Sequence, residues 1–108
     1  MTIEDIEKEV LEWQTNTFPC ATMKAKMLKL REECIELIAA IEFGNYQQVV
    51  EEAADVFIVS VNIANDRREF EDNVTMTRVI ADKLAVNKAR TWGPEQPDGN
   101  RKKEIEQC

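Results

Sequence analysis

Apolar positions recur at helical spacing in four separate stretches of the chain. Ile3, Ile6, Val10 and Trp13 return every three or four residues, which predicts a first helix from Thr2 to about Asn16. Thr2 stands where an N-cap belongs, with Asp5 at the capping-box position usually held by Glu or Gln. The acidic first turn suits the positive end of the helix dipole, and Phe18-Pro19 ends the helix. Met23, Met27, Leu30, Cys34, Leu37, Ile38 and Ile41 form the stripe of a second helix, from about Thr22 to Phe43. Ala39 and Ala40 let a neighbouring helix approach closely. Gly44-Asn45 reads as a tight turn, with glycine in the left-handed position past a helix end and asparagine capping the next helix. The third helix is expected from about Tyr46 to Arg67 or Arg68. After a charged connection anchored by Phe70, a fourth runs from about Asn73 to Trp92. Val79, Ile80, Leu84 and Val86 are its expected core contacts, and Gly93-Pro94 its stop.

The third helix has a different pattern. AADVFIVSVNIA is apolar almost all round. Its VFIVSV run has strand propensity, but the periodic stretch is far longer than a strand and holds no Gly or Pro. A helix apolar on every side must be covered on every side. Three other helices cannot do this and also present solvated faces, so a homodimer or homotetramer is expected. The fold class is therefore all-α: a four-helix bundle-like chain built on a central helical hairpin, and oligomeric. Residues 1–94 form the domain. Residues 95–108 form a polar tail with a turn at Asp98-Gly99 and a mobile end.

Composition narrows the function classes. The 108 residues carry a formal net charge of −7 and no histidine. An acidic chain with a pI near 4.7 is a poor partner for a nucleic-acid backbone. No apolar run is long enough to span a membrane, and the charged amino end is no signal peptide, so cytoplasmic residence is expected. Cys20, Cys34 and Cys108 lack disulfide or metal-site spacing and read as reduced thiols. Without histidine there is no Ser-His or Cys-His nucleophile, no HExxH zinc site and no ExxH di-iron bundle. Any enzymatic chemistry falls to carboxylates, lysines and metal-held water.

The carboxylates of the hairpin are the candidates. Glu33 and Glu36 precede Gly44; Glu52 and Asp55 follow it. Residues three apart share a helical face. Glu36 and Glu52 are equidistant from Gly44, roughly 12 Å along their helices, and Glu33 and Asp55 lie about one turn further on. Either pair alone is ordinarily a solvated face. Two level pairs are more selective, and Asp55 is an odd solvating charge between Ala53-Ala54 and VFIVSV. Four converging carboxylates repel one another. A hard divalent cation, Mg²⁺ with Mn²⁺ as a substitute, relieves that repulsion through oxygen ligands.

Two further groups bear on substrate. Lys83, Asn87 and Arg90 share a face near the end of the fourth helix, with Lys88 beside them. Cations there favour the helix dipole, but two cations and an amide also suit a triphosphate. Trp13 and Phe18 read as core aromatics or as a surface against a nucleobase. Trp92 reads as a packing anchor. Lys24, Lys26, Lys29 and Arg31 read as a solvated face, with one of them reaching a phosphate as the alternative.

The ExxE and ExxD pairs across the hairpin resemble the MazG-like all-α nucleoside triphosphate pyrophosphatase superfamily. KLAVNKARTW, residues 83–92, is similar to that family's K-x-x-x-N-x-x-R-x-W stretch. WQTNTFPCAT, residues 13–22, looks like the opening of a short phage-type dATP/dGTP pyrophosphohydrolase group. The resemblance covers about Trp13 to Pro94. It implies Mg²⁺-dependent cleavage between the α- and β-phosphates of a nucleoside triphosphate. Glu33, Glu36, Glu52 and Asp55 would be ligands, Glu33 and Glu36 the catalytic candidates, and Lys83, Asn87, Lys88, Arg90, Trp13 and Phe18 the substrate contacts. The competing expectations are a non-catalytic oligomeric interaction protein and a broad house-cleaning pyrophosphatase.

Overall fold

The computed structural model describes residues 1–66 and 76–102. It contains α1 (Ile3–Thr17), α2 (Met23–Phe43), α3 (Tyr46–Ala64) and α4 (Met76–Ala89). Arg67, Arg68, Phe70, Asn73 and Cys108, to which the sequence reading assigned roles, lie outside the described residues.

Three helix starts follow from local chemistry. The Thr2 hydroxyl accepts from the Asp5 N–H at 3.1 Å, and the Asp5 carboxylate accepts from the Thr2 N–H at 2.9 Å. These bonds hold the Asp5 carboxyl below its usual range. Thr22 caps α2 through the Ala25 N–H, 3.1 Å away. Asn45 and Gln48 form a reciprocal capping box on α3, both bonds 2.9 Å. Each cap satisfies donors that a helix start leaves orphaned.

Gly44 is needed for a reason other than the one expected. Its φ of −98° and ψ of −169° are extended, not left-handed. A Cβ there would lie 2.8 Å from the Ala40 carbonyl oxygen and 2.6 Å from Gln48 Oε1. The glycine permits close packing of the turn against the end of α2 and the cap of α3.

The third helix ends at Ala64, short of the expected Arg67. Both the N–H and the side-chain amide of Asn65 bond to the Val61 carbonyl. The asparagine closes the last turn with local bonds that compete with helix continuation.

The chain divides into two compact units, Met1–Thr77 and Arg78–Cys108. In the first, α2 and α1 both pack on α3. Among the described residues its buried apolar side chains are Ala40, Val59 and Val61, of which Val61 is fully buried, and its buried polar ones are Glu7, Glu33 and Asn62. The stripe expected of α2 is split. Leu30, Cys34 and Leu37 are half-buried, whereas Met23, Met27, Ile38 and Ile41 are exposed in the single chain. Glu7 joins distant segments. Its carboxylate accepts from the Met76 and Thr77 N–H groups, the Thr77 hydroxyl and the Asn65 side-chain amide.

In the second unit, α4 buries none of its described side chains. Val79, Ile80, Leu84 and Val86, expected in the core, are 38–51% exposed among the described residues. The helix also stops at Ala89 rather than Trp92, because the Trp92 indole turns back and donates to the Asn87 carbonyl at 3.0 Å. Beyond it, Gly99 takes a left-handed φ of +86° in a turn closed by the Gln96 N–H to Asn100 carbonyl bond. Among the described residues no helix is long and apolar enough to cross a membrane.

Candidate active site

The α2–α3 hairpin brings carboxylate oxygens of Glu33, Glu36 and Glu52 within 4.8 Å of one another. Their matched distances from Gly44 produce this on antiparallel helices. Glu33 is only 5% exposed, because it shares the α3-facing side of α2 with Ala40. One Glu33 oxygen accepts from Lys29 Nζ at 2.9 Å. Its other oxygen, and one of Glu52, are buried without a hydrogen-bond partner. An unpaired buried carboxylate oxygen is costly.

Electrostatics mark the same spot. A hydrogen bond with Glu33 and the Glu33 charge push the Glu36 carboxyl above its usual value of 4.5, with loss of hydration and the charges of Glu52 and Glu32 adding to it. Lys29 is pushed up by its hydrogen bond to Glu33 and by the surrounding acids. The cluster therefore holds more negative charge than Lys29 offsets. Two orphaned oxygens in an oxygen-only donor set fit a hard divalent cation such as Mg²⁺ or Mn²⁺.

Asp55 is exposed and is not part of the three-glutamate cluster. It opens, with Glu33, onto a cavity of about 580 Å³. Trp13, Gln14 and Phe18 contribute one wall; Lys26 and Lys29 from α2 and Ile58 and Asn62 from α3 contribute others. The Trp13 and Phe18 rings meet edge to face, 5.7 Å between centroids and 84° between planes. They are 54% and 50% exposed, so the core reading of these aromatics does not hold. Trp13 lies at the end of the α1 stripe, on the cavity wall. Lys26 departs from the solvated-face reading too: its side chain is 12% exposed and pairs with Asp66.

The sequence reading missed Gln14 and Asn62. Asn62 carried a signal, being an amide inside the apolar run VSVNIA. Gln14 carried none beyond its place beside Trp13. In the second unit, Lys83, Asn87 and Lys88 are exposed along α4, and Arg90 Nη1 approaches Asn87 Oδ1 at 3.4 Å. Cys20 is an exposed free thiol and Cys34 a half-buried one.

The model of the MazG nucleotide pyrophosphohydrolase domain matches residues 21–92. A dATP/dGTP diphosphohydrolase of Salmonella phage PMBT28 is 31% identical over 93 residues, which cover 84% of this chain. The chain spans only 28% of that protein's length. A cyanophage S-2L MazG-like pyrophosphohydrolase, solved bound to dGDP and three catalytic Mn²⁺ ions per active site, is 28% identical. It superposes with a TM-score of 0.66 over 97% of this chain and 99% of that one.

Proposed function

This chain belongs to the MazG nucleotide pyrophosphohydrolase family, and we propose that it hydrolyses deoxynucleoside triphosphates, dATP and dGTP foremost, to monophosphate and pyrophosphate. The observation that carries the reading is the pair of orphaned buried oxygens on Glu33 and Glu52, set in a three-glutamate cluster. Glu33 also lines the cavity that holds Trp13 and Phe18. The named substrates of the phage relative and the nucleotide and Mn²⁺ of the cyanophage protein support the same reading.

Glu33, Glu36, Glu52 and Asp55 would hold Mg²⁺, or Mn²⁺ in its place. A cation held there would supply positive charge against the negative charge that develops on the phosphate oxygens. Glu33 and Glu36 are the proposed catalytic groups, orienting a water toward the α-phosphorus and taking its proton on a carboxylate oxygen. The new bond joins the water oxygen to the α-phosphorus. The bond from that phosphorus to the bridging oxygen breaks, and pyrophosphate leaves. Trp13 and Phe18 offer ring faces to the base. Lys83, Asn87, Lys88 and Arg90 are the proposed partners of phosphate oxygens. The domain is proposed to span residues 1–94, with a tail beyond. The exposed apolar side chains of α2 and α4 support assembly as a homodimer or homotetramer, each buried Val or Ile adding ~1.5–3 kcal/mol.

The test is a panel of nucleoside triphosphates incubated with Mg²⁺, with products resolved by chromatography. Equimolar monophosphate and pyrophosphate, fastest from the purine deoxynucleotides, is the expected result. Orthophosphate with a nucleoside diphosphate would overturn the reaction assigned, and no turnover at all would favour a non-catalytic interaction protein.

A further inference from the structure

We infer that Asn62 reads the Watson–Crick edge of the base, and that its carboxamide, by turning over, admits both 6-amino and 6-oxo purines. The inference rests on the nucleotide reading above and deepens it. Asn62 is 7% exposed and lines the cavity. Among the described residues its carboxamide makes no hydrogen bond to the protein, unlike the buried Glu7 nearby. An amide on a largely buried residue, unpaired within the protein and facing a cavity, keeps its donor and acceptor available to a ligand.

Its position sets what that ligand is. Asn62 stands seven residues beyond Asp55 on α3, two turns or roughly 10 Å along the axis. With phosphates near the carboxylates, that span takes a deoxyribose and a base, with the base edge arriving at Asn62. Trp13 and Phe18 lie on another wall of the same cavity, where a ring face can stack. A purine's edge reaches a ring-width further than a pyrimidine's, so the depth of the site favours purines.

The amide explains acceptance of both purines. Adenine offers a donor at N6 and an acceptor at N1. Guanine offers an acceptor at O6 and a donor at N1, the same pair reversed. A carboxamide carries one of each, and a half-turn about its last bond exchanges them. A carboxylate has no such freedom. It accepts from guanine N1–H and its 2-amino group together, and it faces the adenine N1 lone pair with repulsion.

The experiment measures kcat/KM of Asn62→Asp, Asn62→Leu and the unaltered protein on dATP and dGTP. Asn62→Asp is expected to raise the dGTP:dATP ratio about tenfold or more, the discrimination a bidentate base contact supplies. Asn62→Leu is expected to lower both, mainly through KM. A uniform loss in Asn62→Asp with the ratio unchanged would assign the residue to packing and overturn the inference. A second measurement needs no variant. On the unaltered protein, a purine deoxynucleoside triphosphate lacking any 6-substituent is expected to fall roughly tenfold below dATP. Equal values would refute edge reading even if the variants fail to fold. If the unaltered protein releases pyrophosphate from no nucleotide, the nucleotide reading fails; if it does so and these ratios stand still, only the role of Asn62 fails.

Discussion

Replacing Glu7 by alanine tests how far the first unit depends on one buried carboxylate. Glu7 is 4% exposed. It accepts from the Met76 N–H at 2.8 Å, the Thr77 N–H at 3.2 Å, the Thr77 hydroxyl at 2.8 Å and the Asn65 amide at 3.2 Å. Removal does not strand all four donors. Asn65 keeps its bond to the Val61 carbonyl, and the Thr77 hydroxyl can rotate toward water. The two backbone N–H groups cannot move without unwinding the start of α4. At roughly 1–3 kcal/mol for each of these two buried donors left unpaired, Glu7→Ala is expected to lose about 2–6 kcal/mol. Urea unfolding at fixed protein concentration and neutral pH measures it, with exposed Glu9→Ala on the same helix as the control. A Glu7→Ala loss within about 0.5 kcal/mol of that control, the range for surface changes, would refute the argument. The pH dependence checks it independently. Burial alone would raise the Glu7 carboxyl, but its hydrogen bonds outweigh burial and hold it below 4.5. Below that value the unfolded state binds the proton first, so the stabilisation is present above pH 4.5 and is lost as pH falls through the folded-state value. Glu7→Gln is expected to flatten the acid limb of the stability curve.

Three other outcomes are expected. Gly44→Ala, which at a permitted φ ordinarily gains 0.4–1 kcal/mol, is expected here to lose about 1–3 kcal/mol, because its Cβ meets the Ala40 carbonyl; a raised urea midpoint would refute this. Glu36→Gln is expected to raise the melting temperature in chelator by removing one member of a repelling set, and to cut turnover by more than the roughly 10–100-fold typical of outer-shell changes; near-native activity at saturating Mg²⁺ would remove Glu36 from the site. Its loss should also abolish a pH effect of the metal-free protein: the raised Glu36 carboxyl gives a contribution present below pH 4.5 and lost as pH rises through the folded-state value. Mg²⁺ or Mn²⁺ at a hundredfold excess over its Kd is expected to add ~2.7 kcal/mol to the unaltered protein, and a flat thermal response would argue against a metal site.

What the chain disclosed by inspection was set by how local the deciding interaction is. Thr2, Thr22 and Asn45 cap their helices through bonds to residues three positions away, so the pattern alone locates them. The level placement of Glu36 and Glu52 is arithmetic on a helical rise, and it brings them together with Glu33. The end of α4 was not legible. It depends on the Trp92 indole folding back to a carbonyl five residues earlier, and no spacing rule encodes that reversal. Gly44 was legible as a turn residue but not for its reason, since close approach to Ala40 is a property of the packed hairpin. Val79 and Leu84 look like core residues by periodicity. Periodicity says that an apolar face needs a cover, not that the same chain provides it.

The three buried polar residues differ in how many partners they have, and that difference separates framework from site. Glu7 has a donor for every direction in which it can accept. A carboxylate so satisfied contributes its charge to folding and keeps nothing for a ligand. Glu33 is half satisfied: Lys29 takes one oxygen, and the other has no partner. Asn62 has no protein partner among the described residues. Native structures rarely leave a buried oxygen such as that of Glu33 unpaired, and a helix as apolar as α3 gives no local reason to place an amide at position 62. Replacing Asn62 by leucine and Glu33 by methionine would remove that cost by the same logic that favours apolar substitutes for imperfect buried polar groups. The fold forgoes this stability at two points in the lining of one cavity. Such a local conflict between packing and polarity is what a binding site produces, because the missing partners arrive with the ligand.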